Sequence, residues 1–179
     1  MILDALLSFS LVTTGDVITT GATFSGNTID LGITSGIPSS AQGGGARDIG
    51  IGDRPAMKMM VQCGGTFLSG TSLIVALQGQ VDNGTGTPAG TWVTWWTSPT
   101  YALASLTAGA RLYDMDMPRP PAGVAVPRFL RLVYTAAGTF TTAASNLQAY
   151  LVIDRDDQMY NATNNAIQGG YAPGIAILN

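Results

Sequence analysis

Five aspartates are the residues of this chain most able to do chemistry. Asp154, Asp156 and Asp157 fall in one short stretch, and Asp114 and Asp116 stand two apart in another. Clustered carboxylate oxygens can hold calcium. Two carboxylates at a fixed separation can also cleave a glycosidic bond without histidine. Neither chemistry is well supported. The spacing fits no twelve-residue calcium loop, Arg155 interrupts the triplet, and nothing sets two carboxylates at a defined distance. A solvated strand end is the plainer reading.

The missing residue types exclude more. The chain has no histidine and no glutamate, one lysine (Lys58) and one cysteine (Cys63). Without histidine there is no Ser-His-Asp or Cys-His arrangement and no typical catalytic zinc site. One cysteine makes no intrachain disulfide, and Cys63 sits in an alternating run where a buried small hydrophobe is expected. Gly43-Gly44-Gly45 lacks the Gly-Lys-Ser/Thr of a phosphate loop. Trp92, Trp95 and Trp96 have the ring area to stack on sugars, but tryptophans more often fill cores and anchor interfaces. The Asp82–Gly86 loop is a turn before it is a metal loop. Asn83-Gly84-Thr85 and Asn161-Ala162-Thr163 fit the glycosylation pattern, which means little without a secretion signal. No enzyme, cofactor or metal site is expected.

A net charge of −3 with scattered arginines is the wrong sign for gripping phosphates, so no nucleic-acid partner is expected. The start, Met1-Ile2-Leu3-Asp4, carries no basic leader, and no apolar run reaches membrane-span length. Charged residues make up only 11% of the 179 residues, against about 25% in ordinary domains. A chain so poor in charge suits a setting where much of its exterior lies against other proteins.

The elements that must position these residues are strands. Residues 127–154 read as two long strands joined by the small turn Ala136-Ala137-Gly138-Thr139. Leu130, Leu132 and Tyr134 alternate with Phe129, Arg131 and Val133, and Leu147, Ala149, Leu151 and Ile153 with Gln148, Tyr150 and Val152. The outer Arg128, Arg131 and Tyr150 read as packing or interface groups. Further period-two runs cover 57–63, 72–80 and 92–97, where Trp92, Thr94 and Trp96 fall on one face and Val93 and Trp95 on the other. Residues 106–115 read as another strand. Residues 13–54 carry turn signals at Ser25-Gly26-Asn27 and from Pro38 to Gly45, and read as extended loops with short strands near 28–31 and 48–51. Seven or eight strands without interleaved helices argue for an all-β fold, an antiparallel jelly-roll-like sandwich. The expected division is an N-terminal arm or short helix over 1–12, a sandwich over 13–157 and a C-terminal arm over 158–179. The apolar Ile2, Leu3, Leu6 and Leu7, and Ile175, Ile177 and Leu178, are the expected partner contacts.

Several pieces occur here in one order: Met1-Ile2-Leu3-Asp4, Ile29-Asp30-Leu31-Gly32, Leu106-x-Ala108-Gly109, Arg128-Phe129-Leu130-Arg131-Leu132-x-Tyr134, and Ala149-Tyr150-Leu151-Val152-x-Asp154. Together they resemble the head cement (decoration) proteins of short-tailed bacteriophages, of the type found in Bordetella phages. The resemblance runs from Met1 to about Tyr160. It implies a jelly-roll-like domain on the outer surface of a virion head, assembled in the host cytoplasm. There it would bridge neighbouring major capsid protein subunits, as a homo-oligomer (dimer or trimer), and stiffen the shell. The 35–46 loop and the tail beyond Tyr160 depart from the family pattern. The alternative is a carbohydrate-binding β-sandwich of a virion.

Overall fold

The computed structural model describes residues 7–10, 15–31, 57–82, 86–88, 90–125, 127–141, 146–152, 159–161 and 166–168, the last two stretches by their backbone. The period-two runs become strands. In chain order these are β1 (Asp16–Val17), β2 (Gly21–Phe24), β3 (Ile29–Asp30), β4 (Lys58–Cys63), β5 (Ser72–Gln80), β6 (Val93–Thr97), β7 (Tyr101–Ala102), β8 (Arg111–Asp116), β9 (Phe129–Ala137), β10 (Asn146–Val152), β11 (Met159–Asn161) and β12 (Ala166–Gln168). The described residues contain no α-helix; a 3-10 turn, Leu103–Ser105, follows β7.

Pairing is nested. β1 pairs with β10, β2 and β3 with β9, β4 with β8, and β5 with β6, all antiparallel. The chain therefore traces one long antiparallel ribbon folded across itself. Two further pairings, β10 with β4 and β9 with β5, zip that ribbon into two sheets. The first sheet runs β1-β10-β4-β8 and the second β2-β9-β5-β6, with β3 added on β9 and β7 on β5. This strand order is that of a jelly roll.

That topology corrects the reading of residues 127–154. β9 and β10 do not form a hairpin: β9 lies in the second sheet beside β5, and β10 in the first beside β4. The connection crosses from one layer to the other. Gly138 does take the left-handed conformation expected of it, at φ 79°, and a Cβ there would come within 3.1 Å of Gly70 Cα. Residues 15–31 also do more than lie over a surface. They supply β1, β2 and β3, with Ile18 and Ile29 in the core. The turn at Ser25-Gly26-Asn27 stands where its residue types placed it: the Ser25 hydroxyl donates to Asn27 O and accepts from Leu132 N–H. The segment 48–51 lies outside the described residues.

The core fills the space between the two sheets. Met59, Val61, Cys63, Leu147, Ala149 and Leu151 come from the first sheet, and Leu73, Val75, Leu77, Leu130, Leu132 and Tyr134 from the second. On β10 the alternation is incomplete, because Tyr150 and Val152 are also buried, in a second cluster with Met60. β-Bulges complete the packing at one edge. The register shifts between Leu77 and Gln78 leave Trp95 as an extra residue on β6, and those between Val61 and Gln62 leave Leu112 as one on β8. A bulge brings two successive side chains to one side. Trp95 and Trp96 therefore both pack on the core, against the expected split of the three tryptophans, and Trp96 meets Tyr113 at 4.3 Å between ring centroids.

Leu7, assigned above to a partner contact, is buried in this core, and Phe9 beside it is fully covered. Phe9 N–H donates to Ala149 O, and the Ser10 hydroxyl accepts from Ala149 N–H, so residues 8–10 extend the first sheet at its β10 edge. At the other end, β11 and β12 form a two-stranded antiparallel ribbon.

Cys63 is buried as expected, and desolvation pushes its thiol from 9.0 up to about 12. A folded value above the unfolded one means that this stability term is intact below pH 9 and lost as pH rises from 9 towards 12. The loss is at most about 4 kcal/mol. Cys63→Ala should flatten the fall of the urea midpoint between pH 9 and 11. At pH 8, labelling of wild-type Cys63 by a thiol reagent should proceed only at the rate of unfolding.

Candidate functional site

The second sheet's outer face is where the fold gathers side chains with no task in the core. On β5 the alternation buries Leu73, Val75 and Leu77 and turns Ser72, Ile74, Ala76 and Gln78 outward. On β9 it turns Arg131, Val133 and Thr135 outward. Cross-strand register sets these in rows. Phe24, Val133, Ala76 and Thr97 form one, Ala22, Thr135 and Ile74 another, and Arg131, Gln78 and Thr94 a third. None of these side chains except Arg131 is charged.

Arg131 is held in place from several sides. Its guanidinium carbon lies 4.0 Å from the Phe24 ring centroid and 4.1 Å from that of Trp92. Its Nε donates to Gln78 Oε1 at 2.9 Å, while Gln78 Nε2 donates to the Thr94 hydroxyl at 3.2 Å. Partial burial pulls its pKa below the usual arginine value. Phe24 is 53% exposed, so an aromatic ring stands on the surface to brace a cation. Such stacking contributes about 0.5–2 kcal/mol.

Arg128, three residues earlier, has a different part. Its Nε and Nη2 donate to the two carboxylate oxygens of Asp30 at 2.8 and 2.9 Å, and its Nη1 to Asp82 Oδ2 at 2.9 Å. The first of these partners, Asp30, does most to hold its pKa above the ordinary arginine value. Asp82 Oδ1 accepts from Gly86 N–H, so this hub ties β3, the start of β9, Asp82 and Gly86 together. It is a clamp within the fold.

The other residues singled out above fall as follows. Asp114 pairs with Arg111 at 3.0 Å on the exposed β8 edge. Asp154, Asp156 and Asp157 lie outside the described residues, as do Ile2, Leu3, Leu6, Ile175, Ile177 and Leu178. Of the tryptophans, Trp95 and Trp96 pack inward and Trp92 has a face against Arg131. That leaves the three without the shared open ring platform a sugar site needs. Sequence reasoning missed Phe24. Its only signal was a phenylalanine in a weakly patterned segment, and its row is set by pairing with Val133, more than a hundred residues away.

Fold and face together define an eight-stranded jelly roll with β3 and β7 added to its second sheet, bearing a charge-poor surface around one aromatic-braced arginine. The chain belongs to the Bbp16 family, a family of Bordetella phage proteins, whose model matches residues 12–151. No curated protein matches the chain.

Proposed function

We propose that this chain is a structural cement (decoration) protein. It binds the outside of a phage head, bridges neighbouring major capsid protein subunits, works as a homo-oligomer and catalyses no reaction. Membership in a phage protein family supports the setting. The single observation that carries the reading is the outer face of the second sheet. Protein interfaces are depleted in charge at their centre and enriched in aromatic residues and arginine. This face sets Arg131 against Phe24 and Trp92, with no other charged side chain in its rows.

Cement function needs modest affinity per copy. Each copy held to one subunit meets the next at high effective concentration, so many weak bridges stiffen a shell together. The test is to add the purified chain to capsid shells assembled without it, then measure co-sedimentation and the temperature at which the shells open. Wild type should co-sediment at saturable stoichiometry and raise the opening temperature. Failure to bind, or binding without stabilisation, would overturn the proposal.

A further inference from the structure

We infer that Arg131 is the anchor of this face and that its partner presents a carboxylate to it, in line with the guanidinium plane. The inference rests on the cement reading above and names the chemistry of the contact.

Two rings lie against Arg131, Phe24 at 4.0 Å and Trp92 at 4.1 Å from its guanidinium carbon. Its Nε–H is used on Gln78. Only the edge carrying Nη1 and Nη2 remains, and among the described residues no acidic group pairs with it. The register places one carboxylate on the same face, Asp30, opposite Phe129. That carboxylate is taken in bidentate fashion by Arg128.

The two neighbouring arginines thus differ in kind. Arg128 is satisfied within the chain, whereas Arg131 is oriented, partly desolvated and still has two donor groups to give. Two parallel N–H donors on a planar edge match the two oxygens of a carboxylate. Pre-orientation by stacking removes much of the rotamer entropy that a free arginine would lose on pairing. Arginine is also among the residue types enriched at interface hot spots.

The test uses the same shells lacking this chain. Arg131→Ala should weaken binding about tenfold or more, and the salt dependence of binding should shrink with it. Arg131→Lys keeps the charge but loses the planar edge and the stack, so it should stay well below wild type. Thermal unfolding of each free variant checks the fold. A cryo-EM map of the decorated shell should show an aspartate, glutamate or chain-terminal carboxylate at the Nη edge. Wild-type binding with unchanged affinity and salt slope in a folded Arg131→Ala, or a map with no carboxylate there, overturns this inference and leaves the cement reading standing. Failure of wild type to bind overturns both.

Discussion

Asp16→Ala is expected to lower the unfolding free energy by about 3–5 kcal/mol, a large part of the roughly 5–15 kcal/mol that holds a domain of this size together. Asp16 is only 5% exposed, yet it is a carboxylate on β1, in the first sheet. Its Oδ2 accepts from the Tyr134 hydroxyl at 2.9 Å, and Tyr134 belongs to β9, in the second sheet. Its Oδ1 accepts from Gly26 N–H at 2.9 Å, in the turn between β2 and β3. One carboxylate therefore joins both layers and the turn between β2 and β3. Removing it leaves the fully buried Tyr134 phenol without its acceptor, and an unpaired buried polar group costs more than a hydrogen bond returns; the bond to the exposed Gly26 is lost as well.

The companion variant separates the terms. Tyr134→Phe keeps the ring in the core and removes only the hydroxyl, so its cost should be about 1.5–3 kcal/mol. The double variant should cost less than the sum of the two, because they share one interaction. Urea unfolding of the four proteins gives the cycle. pH adds a check of sign. Burial first, then the Asp16 charge and the hydrogen bond to it, holds the Tyr134 phenol well above its usual value of 10. A raised folded value means the contribution is intact below pH 10 and lost as pH rises beyond it. In a Cys63→Ala background, stability should therefore fall above pH 10, and Tyr134→Phe should flatten that fall.

The sequence displayed the strands better than their partners. β5 was readable because Leu73, Val75 and Leu77 alternate with Ser72, Ala76 and Gln78. Gly138 was readable as a reversal because few other residues take its backbone conformation. What β9 and β10 pair with is a different matter. Two adjacent strands with a short link usually form a hairpin, and nothing local says that the link crosses between sheets. That is settled by β4 and β5, which stand far back along the chain. The bulges were hidden for the same reason. An extra residue exists only relative to a partner strand, so Trp95 and Trp96 looked like opposite faces until β5 supplied the register. The short strands β1 and β2 carry too few residues to show a period at all. The candidate face inherits this limit. Arg131 was legible as an outward residue, but its bracing by Phe24 and Trp92 is a product of three distant pairings.

The link that crosses between sheets should be the second most sensitive point in the molecule. Phe140→Ala is expected to cost about 3–5 kcal/mol, within the range for removing a buried aromatic ring. Phe140 is 1% exposed and meets Phe67 edge-to-face, with centroids 5.1 Å apart at 88°. Its backbone N–H donates to Thr19 O, and it bridges Ser69, so the residue joins three segments just after the chain leaves β9. The ring also lies so close to Gly70 that a Cβ there would stand 2.5 Å from it. The site was shaped around the ring by a glycine, and backbone of that kind cannot collapse to fill the hole that alanine leaves. Cavity cost is greatest where relaxation is least. Phe24→Ala makes the contrasting case: the same ring is lost from an exposed face, where surface changes usually stay within about 0.5 kcal/mol apart from the cation stack. Urea midpoints should therefore fall steeply for Phe140→Ala and little for Phe24→Ala, while shell binding by the Phe24 variant drops. Equal losses of stability in the two would mean that the outer face holds the fold together, and its reading as a surface kept for a partner would fail.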